Sequence, residues 1–66
     1  MTNYYVNNNE QPNGDYEVHR EGCSYMPISK TYLGQFDNCQ DAVKAAKRYY
    51  SQVNGCYYCS NACHTQ

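Results

Sequence analysis

The stretch Asn54-Gly55-Cys56-Tyr57-Tyr58-Cys59 decides how this chain is read. Two cysteines with two residues between them, set on a tight turn, offer two thiolates to a single ion. Zinc in a structural site takes four such donors in a tetrahedron. The second pair lies upstream at His19-x3-Cys23. Short spacing lets local backbone place both donors of each pair, and the long segment between the pairs must fold back to bring them together. The expected ligand set is His19, Cys23, Cys56 and Cys59, with Cys63 and His64 as alternates.

Bulk composition explains why such a staple is needed. The chain has 66 residues, room for one domain, and its aliphatic core formers are few: Val6, Val18, Ile28, Leu33, Val43 and Val53. A domain of this size buries only about 60% of the surface its unfolded chain exposes, so its core alone is marginal. The nine tyrosines are therefore expected to supply much of the apolar area. The five cysteines supply the staple, as metal ligands or as disulfides. Their odd number favours metal, since a pure disulfide framework leaves one thiol over.

No leader-like segment is visible at Met1-Thr2-Asn3-Tyr4-Tyr5-Val6-Asn7, and no run approaches a membrane span. Taken as it stands, the chain is expected to be cytoplasmic, where cysteine clusters usually mean metal or redox chemistry. Its net charge is −1. A free-standing nucleic-acid binder is usually clearly basic, so a protein partner is favoured over nucleic acid or a membrane surface.

Working outward from the Cys-x2-Cys turn, Cys39, Ala42, Val43, Ala46, Tyr50 and Val53 recur on one helical face, and the pattern predicts a helix over about 38–53. Asp37 is its expected N-cap, with Gln40 completing a capping box, and Gly55 its expected left-handed terminator. Cys39, on the apolar face, reads as a buried free thiol, although Cys63 could instead pair with it oxidatively. Ser60 could cap a last turn over Asn61-Ala62-Cys63-His64.

Tyr16-Glu17-Val18-His19-Arg20 alternates as a strand does. Tyr32-Leu33-Gly34-Gln35-Phe36 reads as a second strand, with Gly34 marking a bulge or a close approach. Residues 1–14, rich in Asn, read as a flexible tail ahead of a single zinc-binding domain over 15–66, although Tyr4, Tyr5 and Val6 could add an edge strand. The fold expected is α+β: two or three short antiparallel strands, one main helix and a Cys-x2-Cys knuckle.

These residues resemble a known family. Val18-His19-Arg20-Glu21-Gly22-Cys23, then Leu33-Gly34-Gln35-Phe36, Ala42 and Ala46, then Gly55-Cys56-Tyr57-Tyr58-Cys59 are similar to the Ada-type metal-binding domain, a small zinc module first known from bacterial DNA repair. The resemblance covers roughly residues 16–59. In that family Cys-x3-Cys and Cys-x2-Cys hold zinc, and the first cysteine accepts a methyl group from a DNA phosphotriester. Here His19 stands at that position and has no thiolate to alkylate. The resemblance therefore implies a zinc scaffold without the transfer chemistry: a structural, non-catalytic interaction or accessory module. Readings from other classes are a disulfide-stapled secreted miniprotein, a nucleic-acid-binding zinc module and a thiol-redox protein.

Overall fold

The computed structural model describes residues 1–65. Four strands form one sheet: β1 (Thr2–Asn7), β2 (Tyr16–Arg20), β3 (Lys30–Phe36) and β4 (Val53–Gly55), in the order β3-β1-β2-β4. One helix, α1 (Cys39–Ala46), packs on a face of the sheet, and a 3-10 turn spans Asn61–Cys63. The architecture is α+β as expected. The sheet is mixed rather than purely antiparallel, because β4 runs parallel to β2.

The expected N-terminal tail is the largest correction. Thr2–Asn7 lies inside the sheet, antiparallel to both β2 and β3. Its alternation explains why: Tyr4 and Val6 are buried in the core, while the asparagines that make the segment look solvated form hydrogen bonds. Asn3 Oδ1 accepts from the Tyr32 hydroxyl at 2.7 Å. Asn8 Oδ1 accepts from Thr31 Oγ1 at 2.7 Å and from the Tyr50 hydroxyl at 3.0 Å. The β1–β3 register slips between Tyr4 and Tyr5, so that Tyr4 faces Gly34 and Tyr5 faces Tyr32. Gly34, at φ 123°, absorbs this bulge in a region that L side chains rarely enter.

The helix begins one residue later than expected. Asn38 is the cap, its Oδ1 accepting from the Asp41 amide at 2.8 Å. It also ends seven residues earlier, at Ala46 instead of 53. The apolar period continues through Tyr50 and Val53, but tertiary pairing overrides it. Tyr50 stacks on Tyr16 with ring centroids 3.8 Å apart. Val53 then pairs with Tyr16 and Gly55 with Val18. Gly55 is thus a strand residue rather than a left-handed helix terminator.

The core is small: Tyr4, Val6, Val18, Cys39, Ala42 and Ala46, flanked by Tyr16, Leu33, Phe36, Val43, Tyr50, Val53 and Cys63. The tyrosines do not fill it as composition suggested. Only Tyr4 is buried, while Tyr25, Tyr32, Tyr49, Tyr57 and Tyr58 are all more than half exposed. A covalent staple compensates. Cys39 is not a free thiol; it is disulfide-bonded to Cys63 with 24 residues of separation, tying α1 to the C-terminal turn. A loop of that size is worth about 3 kcal/mol through the entropy it removes from the unfolded chain.

Candidate metal centre

Three cysteines stay free of the disulfide: Cys23, Cys56 and Cys59. They meet His19 at one end of the β2–β4 pair, where the two strands run in the same direction. Strand alternation sets this up. Val18 points into the core, so its neighbour His19 lies on the other face of the sheet. There it is buried beneath the two knuckles, 1% exposed. Beyond Arg20 the chain reverses. Gly22 adopts φ 84°, and the Cys23 amide donates to the Arg20 carbonyl at 3.2 Å, which returns Cys23 to the same spot.

The second knuckle leaves β4 directly. The Cys56 amide donates to the Val18 carbonyl at 2.9 Å, extending the parallel ladder by one bond, and the Ser60 amide closes the turn on the Cys56 carbonyl at 2.9 Å. No helix end delivers Cys56; a strand does.

One ligand atom from each of His19, Cys23, Cys56 and Cys59 lies within 4.8 Å of all the others. The Cys23 and Cys56 sulfurs are 3.9 Å apart, and the Cys59 sulfur is 3.9 Å from His19 Nδ1. With Zn–S near 2.3 Å, a tetrahedron has S···S edges of about 3.8 Å, which the Cys23–Cys56 sulfur separation matches. Backbone amides already point at the sulfurs. Arg20 N–H donates to Cys59 Sγ at 3.2 Å, and the Tyr58 and Cys59 amides are directed at Cys56. Such donors favour a charged sulfur.

Burial favours the neutral forms of His19, Cys56 and Cys59. Burial pushes the Cys59 thiol up to about 12, with neighbouring thiols adding to the shift and the Arg20 amide opposing it. Burial likewise raises Cys56 and lowers His19 from its ordinary range, so the imidazole is uncharged near neutral pH. The contact of His19 Nε2 with Glu17 Oε1 at 3.4 Å is then not an ion pair. Nor does it reach hydrogen-bond geometry, which leaves Nε2 a buried nitrogen with no partner. Burial also pushes the Glu17 carboxyl up, opposed by Gln11 and His64. Three soft sulfurs and one imidazole, mutually close, with His19 and Cys56 buried and Cys23 and Cys59 half-buried, form a donor set suited to zinc.

The two alternates lie elsewhere. Cys63 is committed to the disulfide, and the His64 ring donates from Nδ1 to the Gly55 carbonyl at 3.0 Å. Ser60 makes no side-chain cap on the 3-10 turn. Sequence reading missed the features around the ligands. Asn54 is buried, its Oδ1 accepting from the Gly55 amide at 3.0 Å and the Thr65 amide at 3.1 Å, which anchors the last turn behind the site. An open cleft of about 270 Å³ beside the cluster is lined by Arg20, Gly22, Cys23, Ser24, Tyr25, Tyr58 and Cys59. Tyr25 and Tyr58 stack at its edge with centroids 4.3 Å apart, a pairing of residues 33 apart that no local pattern announces. No helix among the described residues is long and apolar enough to cross a membrane. Comparisons with protein-family models, with curated proteins and with solved structures each return no match, so the geometry of His19, Cys23, Cys56 and Cys59 carries the functional argument alone.

Proposed function

We propose that the chain is a structural zinc-binding module that acts as an interaction or accessory protein and performs no catalysis of its own. One observation supports this above the others: four donors from two separate knuckles lie within 4.8 Å of one another. Cys23, Cys56 and Cys59 would bind as thiolates and His19 as neutral imidazole. The ion would supply folding energy that a six-residue core lacks, and pin the end of β2 to the turn after β4. The resemblance to the Ada-type domain points the same way, and His19 at the reactive position argues for holding the ion rather than using it in transfer. The exposed Tyr25 and Tyr58 beside Arg20, with the exposed Tyr57 edge-on to Tyr58, offer a partner the residue types that dominate interface energetics.

The decisive measurement is metal content. Protein purified without chelator is expected to contain one zinc per chain by elemental analysis. Three cysteines should resist alkylation until EDTA is added, while the Cys39–Cys63 disulfide stays intact. A chain that folds, takes up no zinc on titration and alkylates at all three free thiols would end this reading.

Nucleic acid is the second reading, favoured by the Tyr25–Tyr58 stack beside a guanidinium. Net charge −1 weighs against it. Shifts of the Tyr25 and Tyr58 resonances on adding a short single-stranded oligonucleotide at low salt, lost at high salt, would move the conclusion there.

A further inference from the structure

We infer that Glu17 fixes the orientation of His19, so that the ion is taken at Nδ1 while Nε2 keeps the proton and gives it to the Glu17 carboxylate as a hydrogen bond. This rests on the metal-holding reading above and adds a residue that reading does not need.

The two ring nitrogens face different surroundings. Nδ1 looks into the cluster, 3.9 Å from Cys59 Sγ. Nε2 looks away from it, fully buried and without a hydrogen-bond partner. A buried N–H left unpaired costs about 1–3 kcal/mol, and solvent cannot relieve it at a residue 1% exposed. Glu17 Oε1 is 3.4 Å away, a few tenths of an ångström beyond an ordinary N–H···O bond. Glu17 sits two residues before His19 on β2, so the pleat places both side chains on the same face of the sheet.

Metal-bound imidazoles commonly give their second N–H to a carboxylate, which fixes the tautomer and makes the ligating nitrogen more basic. The cysteine ligands need no such partner. Cys56 and Cys59 already receive backbone N–H groups at their sulfurs. Glu17 is therefore matched to histidine at position 19 and has nothing to orient were a cysteine there. Its role is positioning, and it does not touch the ion.

Two measurements test this. In protein with ¹⁵N-labelled histidine and loaded with ¹¹³Cd, metal coupling is expected at His19 Nδ1, with the ring proton on Nε2. In competition against a chromophoric chelator, Glu17→Ala is expected to weaken zinc binding by about 10- to 100-fold. Glu17→Gln, which keeps size and an acceptor oxygen but no charge, is expected to fall between Glu17→Ala and the parent; it carries the test alone if Glu17→Ala does not fold. In a His19→Cys background, both substitutions should change zinc affinity less than twofold. Coupling at Nε2, unchanged affinity in the Glu17 variants, or an equal loss in the His19→Cys background would overturn the inference while the zinc reading stood. A parent chain that takes up neither zinc nor cadmium would overturn both.

Discussion

Replacing Cys56 with serine is expected to reduce zinc retention by about two orders of magnitude. Zinc bound by small Cys/His modules is worth about 10–16 kcal/mol, so one of four ligands carries roughly 3 kcal/mol of it. Serine is close in size and leaves the Cys56 backbone bonds to Val18 and Ser60 in place. Cys56 is 1% exposed, however, and could matter merely as a packed side chain. Two denaturant titrations separate these roles. With zinc saturating, the variant should be less stable than the parent by about 4 kcal/mol, the lost ligand plus the packing change; with chelator in both samples, the gap should close to about 1 kcal/mol, the size of a modest core change. An undiminished gap in chelator would make Cys56 a packing residue and weaken the metal assignment.

The second large effect lies one residue earlier. Gly55→Ala is expected to destabilise the chain by about 3 kcal/mol, the upper end for overpacking. An added Cβ would lie 2.6 Å from Cys63 Cβ, 2.7 Å from the Ser60 carbonyl oxygen and 2.9 Å from the Cys63 carbonyl carbon. Two of these are backbone atoms, and the third belongs to a side chain tethered to α1 by the disulfide. None can move without moving the turn that closes the second knuckle. The penalty should therefore shrink by about 1 kcal/mol when Cys39 and Cys63 are both replaced by alanine, a coupling typical of residues in contact. Denaturant midpoints of the four proteins give that coupling directly. A Gly55→Ala chain as stable as the parent would show that the C-terminal turn is free to shift.

Much of the candidate centre is legible in the sequence because its information is local. His19-x3-Cys23 and Cys56-x2-Cys59 each place two donors through a single turn, and their types name the chemistry. The α+β class followed from the strand-like alternation of Tyr16–Arg20 and the apolar stripe from Cys39 to Ala46. What stayed illegible depends on distant partners. Thr2–Asn7 looks like a polar tail until Tyr32, Thr31 and Tyr50 satisfy Asn3 and Asn8. The stripe through Tyr50 and Val53 fits a longer helix, and only the stack on Tyr16 and the pairing with β2 end it early. Gly55 reads as a left-handed terminator, a conformation it does not adopt, whereas its actual requirement is room for Cys63 and Ser60. The choice between a free Cys39 and a bridge to Cys63 turned on how far the final turn folds back, which depends on buried Asn54 holding Thr65.

The disulfide has a further consequence in the topology of the chain. With an ion held by the candidate cluster, the two cross-links would alternate along the sequence: His19 and Cys23 on the ion, Cys39 on the bridge, Cys56 and Cys59 on the ion, Cys63 on the bridge. They would be interlaced, as in a pseudoknot, and not nested one inside the other. With the metal in place, each cross-link ties a segment inside the other's loop to a segment outside it. A protease cut in the 24–29 loop, where Ile28 is 99% exposed, would leave two pieces that no covalent bond joins. Only strand pairing and the ion would hold them, and chelator in denaturant should release them. A cut between 47 and 52 would leave one disulfide-linked molecule under the same treatment. The ion would thus be the clasp for the N-terminal half of the fold, and the disulfide the clasp for the C-terminal half.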